Sequence, residues 1–225
     1  MPPASGSNSP IVCYVTDRKA LGDNNRFERL IATIRTAVAA GVDWVQIREK
    51  DLAARDLLAL ATAAVSAAQE NRKDPTARSR VIVNDRLDVA LAASAAGVHL
   101  GRNSIPVAQV ARWRSADEVR SEFLIGASCH DIDEARQAEA QGANYIFFGP
   151  VFDTPSKRPF GAPQGIARLA EACRAMRIPV IAIGGVDGEN AAECLGAGAA
   201  GIAAIRFFQG QNGATLAETI AKLRQ

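Results

Sequence analysis

From Ile11 onward the chain alternates short β-branched or aromatic runs with longer stretches whose apolar positions recur at helical spacing, the pattern of repeated βα units. Eight such runs predict strands at residues 11–15, 44–47, 81–83, 98–100, 124–127, 145–148, 180–183 and 201–205. Helices are expected between them, among others at 27–40, 53–70, 131–141, 166–176 and 190–195, because parallel strands need crossover connections. The junctions Ala40-Gly41-Val42, Ala96-Gly97-Val98, Gln141-Gly142-Ala143 and Ala197-Gly198-Ala199 look alike, each a glycine ending a helix just before a strand.

Eight regular units with no GxGxxG after the first strand favour a closed barrel over a doubly wound open sheet. The fold class is therefore α/β, a single (β/α)8 TIM barrel over residues 11–225, preceded by a disordered tail over 1–10. A chain of 225 residues is close to what one such barrel uses, ~250. With 48% hydrophobic and 22% charged residues the chain can fill its core.

A net charge of +2 excludes a broad nucleic-acid or membrane-binding surface, so any anion must be gripped locally. The first ten residues lack the basic start and apolar stretch of a signal peptide. Cys13, Cys129, Cys173 and Cys194 stand far apart without a CxxC pair, which reads as free thiols in a reducing cytoplasm. The sequence leaves open whether the chain forms a homodimer.

In such barrels the site lies at the carboxyl ends of the strands. Gln46, Arg48 and Lys50 alternate there and would share one side of an extended segment, two cations and an amide suited to clamping phosphates. The competing reading is a solvated strand end with Glu49 and Asp51 pairing those bases. Asn84 and Asp85 follow strand three as a hard oxygen pair suited to magnesium, or else one of them caps the next helix. The two histidines, His99 and His130, both fall at strand ends; His99 reads as a hydrogen-bonded residue of the barrel interior and His130 as an acid–base candidate or a helix-start residue.

The loop after strand six carries Thr154, Ser156 and Lys157, groups able to hold phosphate oxygens from a flap. Strand seven ends in Gly184-Gly185 and strand eight in Ile205-Arg206, where barrels often bind phosphate on backbone N–H groups.

Taken in order, Gln46-Ile47-Arg48-Glu49-Lys50, Val83-Asn84-Asp85, Gly97-Val98-His99-Leu100-Gly101, Ser128-Cys129-His130, the run from Gly149 to Lys157 and Ile183-Gly184-Gly185 resemble the thiamine phosphate synthase and thiazole tautomerase superfamily. The resemblance runs from about Ile11 to the C-terminus. It implies a magnesium-dependent synthase of thiamine biosynthesis that joins hydroxymethylpyrimidine diphosphate to hydroxyethylthiazole phosphate and releases pyrophosphate. By that likeness Gln46, Arg48, Lys50, Asn84 and Lys157 hold the diphosphate, Asp85 binds Mg2+, and Ser128 sits near the leaving group. Thr154, Ser156 and Gly185 then hold the thiazole phosphate or the pyrophosphate. Lys157, Ser128 and His130 are the catalytic candidates.

Two departures bear on this. Ser104 stands where such synthases carry a second magnesium-binding Asp, and Arg206 where they often carry a serine; Arg102 or Arg206 could offset weaker metal binding. Ser104 and the Ser128-x-His130 pair also resemble the tautomerase branch, in which His130 would move a proton on the thiazole. A regulator that binds thiazole phosphate without turnover is the third reading.

Overall fold

The computed structural model describes residues 9–22, 24–70, 79–117, 120–154, 162–209 and 212–225. The tail expected over 1–10 lies outside the described residues except for Ser9 and Pro10, which lead into the first strand.

Eight parallel strands close on themselves: β1 (Ile11–Val15), β2 (Trp44–Ile47), β3 (Arg80–Asn84), β4 (Gly97–Leu100), β5 (Leu124–Cys129), β6 (Tyr145–Phe148), β7 (Val180–Ile183) and β8 (Gly201–Ala204). Closure is direct, since β1 pairs with β8 in the register Ile11↔Gly201 to Tyr14↔Ala204. An open doubly wound sheet is thereby excluded. Each strand is followed by a helix: α1 (Arg26–Ala39), α2 (Ala54–Glu70), α3 (Leu87–Ala92), α4 (Val107–Ser115), α5 (Ile132–Ala140), α6 (Gly165–Ala175), α7 (Ala191–Gly196) and α8 (Gly213–Leu223). A 3-10 turn at Arg18–Leu21 stands between β1 and α1.

Strand residues alternate between two cores. One set, including Val12, Tyr14, Val45, Val83 and Ile146, meets the helices, whose buried stripes recur at helical spacing, as in Leu30, Ile34, Ala37 and Val38 of α1. The other set, Cys13, Val15, Trp44, Ile82, Tyr145, Phe147, Ile181 and Ala203, fills the barrel interior. The lumen is thus a packed core, which leaves only its carboxyl end open to chemistry.

Three of the four expected glycine junctions are helix stops with left-handed backbone: Gly41 at φ 93°, Gly142 at φ 96° and Gly198 at φ 97°. In the first, Gly41 N–H donates to Val38 O at 3.1 Å and Val42 N–H to Ala37 O at 3.2 Å, the paired bonds of a Schellman ending. The fourth junction is a correction. Gly97 is the first residue of β4, and α3 is stopped by Ser94 at φ 53°, with Ala95 N–H bonded to Ala90 O at 2.9 Å. Gly97 serves closeness instead: a Cβ there would lie 2.7 Å from that of Leu124 on β5.

Candidate active site

The β2 end is pinned to β1. Thr16, fully buried, accepts the Arg48 backbone N–H on Oγ1 at 2.9 Å, and its own N–H donates to Gln46 O at 2.9 Å. Gln46 faces the interior at 1% exposure and donates from Nε2 to Asn84 Oδ1 at 3.0 Å, while its Oε1 has no donor among the described residues. A buried amide oxygen left without a partner is costly and points to a ligand or water that supplies one. β2 ends at Ile47 as expected, but the extended segment expected to carry Gln46, Arg48 and Lys50 on one side is corrected: Lys50 lies exposed in the turn that follows.

The acidic neighbours do not pair with these bases. Glu49, 4% exposed, accepts from the Arg18 backbone N–H at 3.1 Å and from its Nη1 at 3.0 Å. Asp51 takes the other edge of the Arg18 guanidinium at 2.6 and 2.9 Å and the Lys19 ammonium at 3.0 Å. Hydrogen bonds from Arg18 and then Lys19 hold the Asp51 carboxyl well below the usual carboxylate range. Among the described residues Arg48 and Lys50 have no ion-pair partner, so the mouth at β2 keeps their positive charge.

At the β3 end, Asp85 occupies the centre of a three-residue turn closed by Arg86 N–H to Asn84 O at 2.8 Å, with φ 70°. A non-glycine residue in that conformation is uncommon and concentrates at functional sites. Neither Asn84 nor Asp85 caps α3, whose N-cap position is Arg86 with no side-chain cap bond. The helix-cap reading is therefore overturned, and Asp85 is exposed at the barrel mouth.

Inside the β4–β6 wall, His99 is 1% exposed, with Nδ1 3.2 Å from the Tyr145 hydroxyl and Nε2 2.9 Å from Ser128 Oγ. Burial, helped by the Arg48 charge, pushes the His99 pKa down to about 3, so the ring is neutral at physiological pH. The interior-histidine reading holds. His130 turns outward to α5, where Glu134 Oε2 accepts its backbone N–H at 2.7 Å and lies 3.2 Å from Nδ1. Asp131 caps the same helix by accepting Glu134 N–H at 2.8 Å. Partial burial opposes the Glu134 charge, but His130 N–H and the Arg102 guanidinium outweigh it and lower its pKa.

The exposed Arg102 guanidinium pairs with Glu134 at 2.6 Å. Ser104 is committed locally: its Oγ accepts Gly101 N–H at 2.7 Å and shapes its own turn. Arg102, Ser104, Ser128, Glu134 and Gln137 line a cavity of about 290 Å³ beside the mouth.

The loop after β6 binds back onto β7. Val151 N–H donates to Ile183 O and Phe152 N–H to Gly184 O, both at 2.9 Å. Gly184 and Gly185 have φ of 93° and 70°, and a Cβ on them would lie 2.6 Å from Pro150 Cα and 2.7 Å from Phe152 Cβ. The close approach requires both glycines. Their backbone N–H groups make no bond among the described residues, which leaves them open to an anion. Thr154 is half-buried at the end of the described loop; Ser156 and Lys157 lie outside the described residues. Strand β8 stops at Ala204, one residue before the expected end, so Arg206 stands exposed in the turn beyond it.

Four residues of this arrangement escaped sequence reasoning: Thr16, Arg18, Tyr145 and Glu134. Thr16-Asp17-Arg18 directly follows β1, and the search for polar residues beyond strand ends would have found it there too. Tyr145 and Glu134 carry no comparable signal.

Fold and mouth define the class first: a (β/α)8 barrel whose carboxyl-end face gathers amides together with cations and glycine N–H groups that have no partner among the described residues. Comparison with known proteins makes this specific. The family described as Thiamine monophosphate synthase matches residues 12–208, and the chain belongs to that family. A putative thiamine-phosphate synthase of Geobacter sulfurreducens is 47% identical over 191 residues, 85% of this chain and 83% of that one. The thiamine-phosphate synthase of Methanoculleus marisnigri is 43% identical over 183 residues, covering 81% and 82%. A solved structure, thiamine phosphate pyrophosphorylase from Pyrococcus furiosus, superimposes with a TM-score of 0.77 at 29% identity over 96% of each chain.

Proposed function

We propose that this chain is a thiamine-phosphate synthase, a transferase of thiamine biosynthesis that joins hydroxymethylpyrimidine diphosphate to hydroxyethylthiazole phosphate with release of pyrophosphate. The observation that carries the reading is at β2: Arg18 takes up Glu49 and Asp51, and the Arg48 and Lys50 charges remain for a diphosphate. As pyrophosphate leaves, negative charge grows on its oxygens and positive charge on the pyrimidine methylene, which the thiazole nitrogen attacks. Cations already in place stabilise the first charge without reorganising.

Asn84, Lys157, Thr154 and Ser156 complete the phosphate contacts in this reading, with Gly184 and Gly185 after β7 and Arg206 after β8. Gln46 gives one Nε2 hydrogen to Asn84 and keeps the other, and its Oε1 is an acceptor without a donor among the described residues, so it can meet a phosphate oxygen and also an N–H or O–H of the pyrimidine half. Ser128, at the end of β5, donates toward the leaving group.

Magnesium fits this donor set in its one-carboxylate form, since Asp85 stands exposed and uncommitted to a helix cap while Ser104 is tied to Gly101. Held by Asp85, the ion would supply further positive charge to the diphosphate. Every group named comes from one chain. Among the described residues no helix is long and apolar enough to cross a membrane, and the small net charge favours a cytoplasmic enzyme acting on small phosphorylated molecules.

The test is to supply both substrates and follow thiamine phosphate. Product from the wild type, with His130→Ala retaining most of the rate, supports the synthase. No product, together with turnover of thiazole carboxylate phosphate that falls at least ~100-fold in His130→Ala, the low end for a lost acid–base group, would move the function to the tautomerase.

A further inference from the structure

We propose that Tyr145 and His99 form a positioning chain for Ser128: the Tyr145 hydroxyl fixes His99 as the Nε2–H tautomer, and His99 thereby turns the Ser128 hydroxyl hydrogen out toward the barrel mouth. The inference deepens the synthase reading and rests on it for the part Ser128 plays.

The argument begins with the phenol. Tyr145 is 1% exposed, and among the described residues its hydroxyl has one hydrogen-bond partner, His99 Nδ1 at 3.2 Å. If Nδ1 carried the ring proton, it would donate to the phenol oxygen and leave the phenolic hydrogen buried without an acceptor. The reverse arrangement, with the phenol donating to a bare Nδ1, satisfies that donor and leaves only spare lone pairs. Buried donors are more costly to orphan than second lone pairs.

The choice propagates across the ring. A neutral imidazole with an unprotonated Nδ1 carries its hydrogen on Nε2, which lies 2.9 Å from Ser128 Oγ and donates to it. Ser128 then accepts from inside the barrel. Its own hydrogen, with no other acceptor among the described residues, is free for a ligand oxygen. The opposite tautomer would draw that hydrogen inward and present only lone pairs to a leaving group that is gaining negative charge. Burial and the Arg48 charge both disfavour the imidazolium, so a doubly protonated ring does not intervene.

The surrounding packing holds the chain in place. Gly126, between His99 and Tyr145 in the register of β4, β5 and β6, leaves the room they need. A Cβ there would fall on the Tyr145 ring and lie 2.6 Å from His99 Nδ1. Phe147 packs on the imidazole with ring centroids 4.3 Å apart.

Two measurements test this. Nitrogen-15 NMR of histidine-labelled protein, assigned with a His130→Ala sample, should show His99 as Nε2–H in the free protein; an Nδ1–H signal would overturn the proposal. In kinetics, His99→Leu and Ser128→Ala should each lower kcat per folded enzyme, by up to the order of 10²-fold expected for one lost oriented donor. The double variant should be no worse than the poorer single one. His99→Gln, whose amide nitrogen can stand near the imidazole Nε2, should recover most of the loss. Multiplying losses in the double variant, or no recovery with a folded glutamine variant, would refute positioning through Ser128. Because the tautomer is read without substrate, a chain inactive as a synthase would sink the functional reading while the NMR signal still decides this one.

Discussion

Arg18 decides what Arg48 and Lys50 are free to do. In Arg18→Gln the buried Glu49 and the exposed Asp51 lose the guanidinium that engages both; Asp51 keeps Lys19, but the Glu49 carboxylate then stands unneutralised beside the diphosphate clamp. The KM for the pyrimidine diphosphate should rise about 10-fold, the equivalent of one lost interaction of ~1.4 kcal/mol, with kcat largely kept in steady-state assays of the folded variant. An unchanged KM would mean that the clamp does not depend on this division of charge. Sequence made part of this site legible. Gln46 and Arg48 follow the two-residue period of a strand, and Asn84 and Asp85 come directly after one. The pairing of Glu49 was not legible, because Arg18 lies on another loop and nothing local distinguishes it from the two nearer bases. His99 was legible as interior, but Tyr145, the partner that sets its tautomer, was hidden among apolar strand residues.

At the scale of elements, the glycine stops separate backbone cost from packing cost. At Gly41 a Cβ would meet only Arg224 Nη1, at an ordinary 3.7 Å, whereas at Gly142 it would press to 2.9 Å on the Ala111 Cβ. Gly41→Ala should therefore cost about 1 kcal/mol, the price of a left-handed alanine, and Gly142→Ala more. Urea midpoints measure both, and equal losses would show that the α4 contact gives way freely. The boundaries of the five helices given ranges from sequence were legible to within one residue. The α3 ending was misplaced because Ser94 does without glycine what the other three junctions do with it. The β2 bounds were legible as they stand, whereas the β8 end was overextended by one residue, since the apolar run in sequence continues to Ile205, past the last ladder pairing, Tyr14↔Ala204.

Across the whole molecule, closing eight strands around a packed lumen buries a histidine that an open sheet would leave nearer to solvent. The consequence is a pH dependence with a definite sign. The folded-state pKa of His99 lies at about 3, against 6.5 for the free side chain. The unfolded chain therefore binds a proton that the folded one refuses between those values. The contribution is fully present above pH 6.5 and is lost as pH falls toward 3, at up to about 1.4 kcal/mol per pH unit. Lowered carboxyl pKa values at Asp51, Asp88 and Glu134 act in the same direction but only below the usual carboxylate range. Urea unfolding at pH 7 and pH 5 should show a loss that is smaller in His99→Gln; an identical loss would mean that the histidine is not neutral in the fold.

The barrel and the order of its motifs were legible because each βα unit repeats the same local grammar. The chemistry of its mouth was legible only where neighbours in sequence are also neighbours in space. The most direct test of the account is the rate of thiamine phosphate formation from the two phosphorylated substrates as magnesium is titrated, for the wild type and Asp85→Ala. The account predicts magnesium-dependent product from the wild type and its loss in the variant. No product at any magnesium concentration would contradict it.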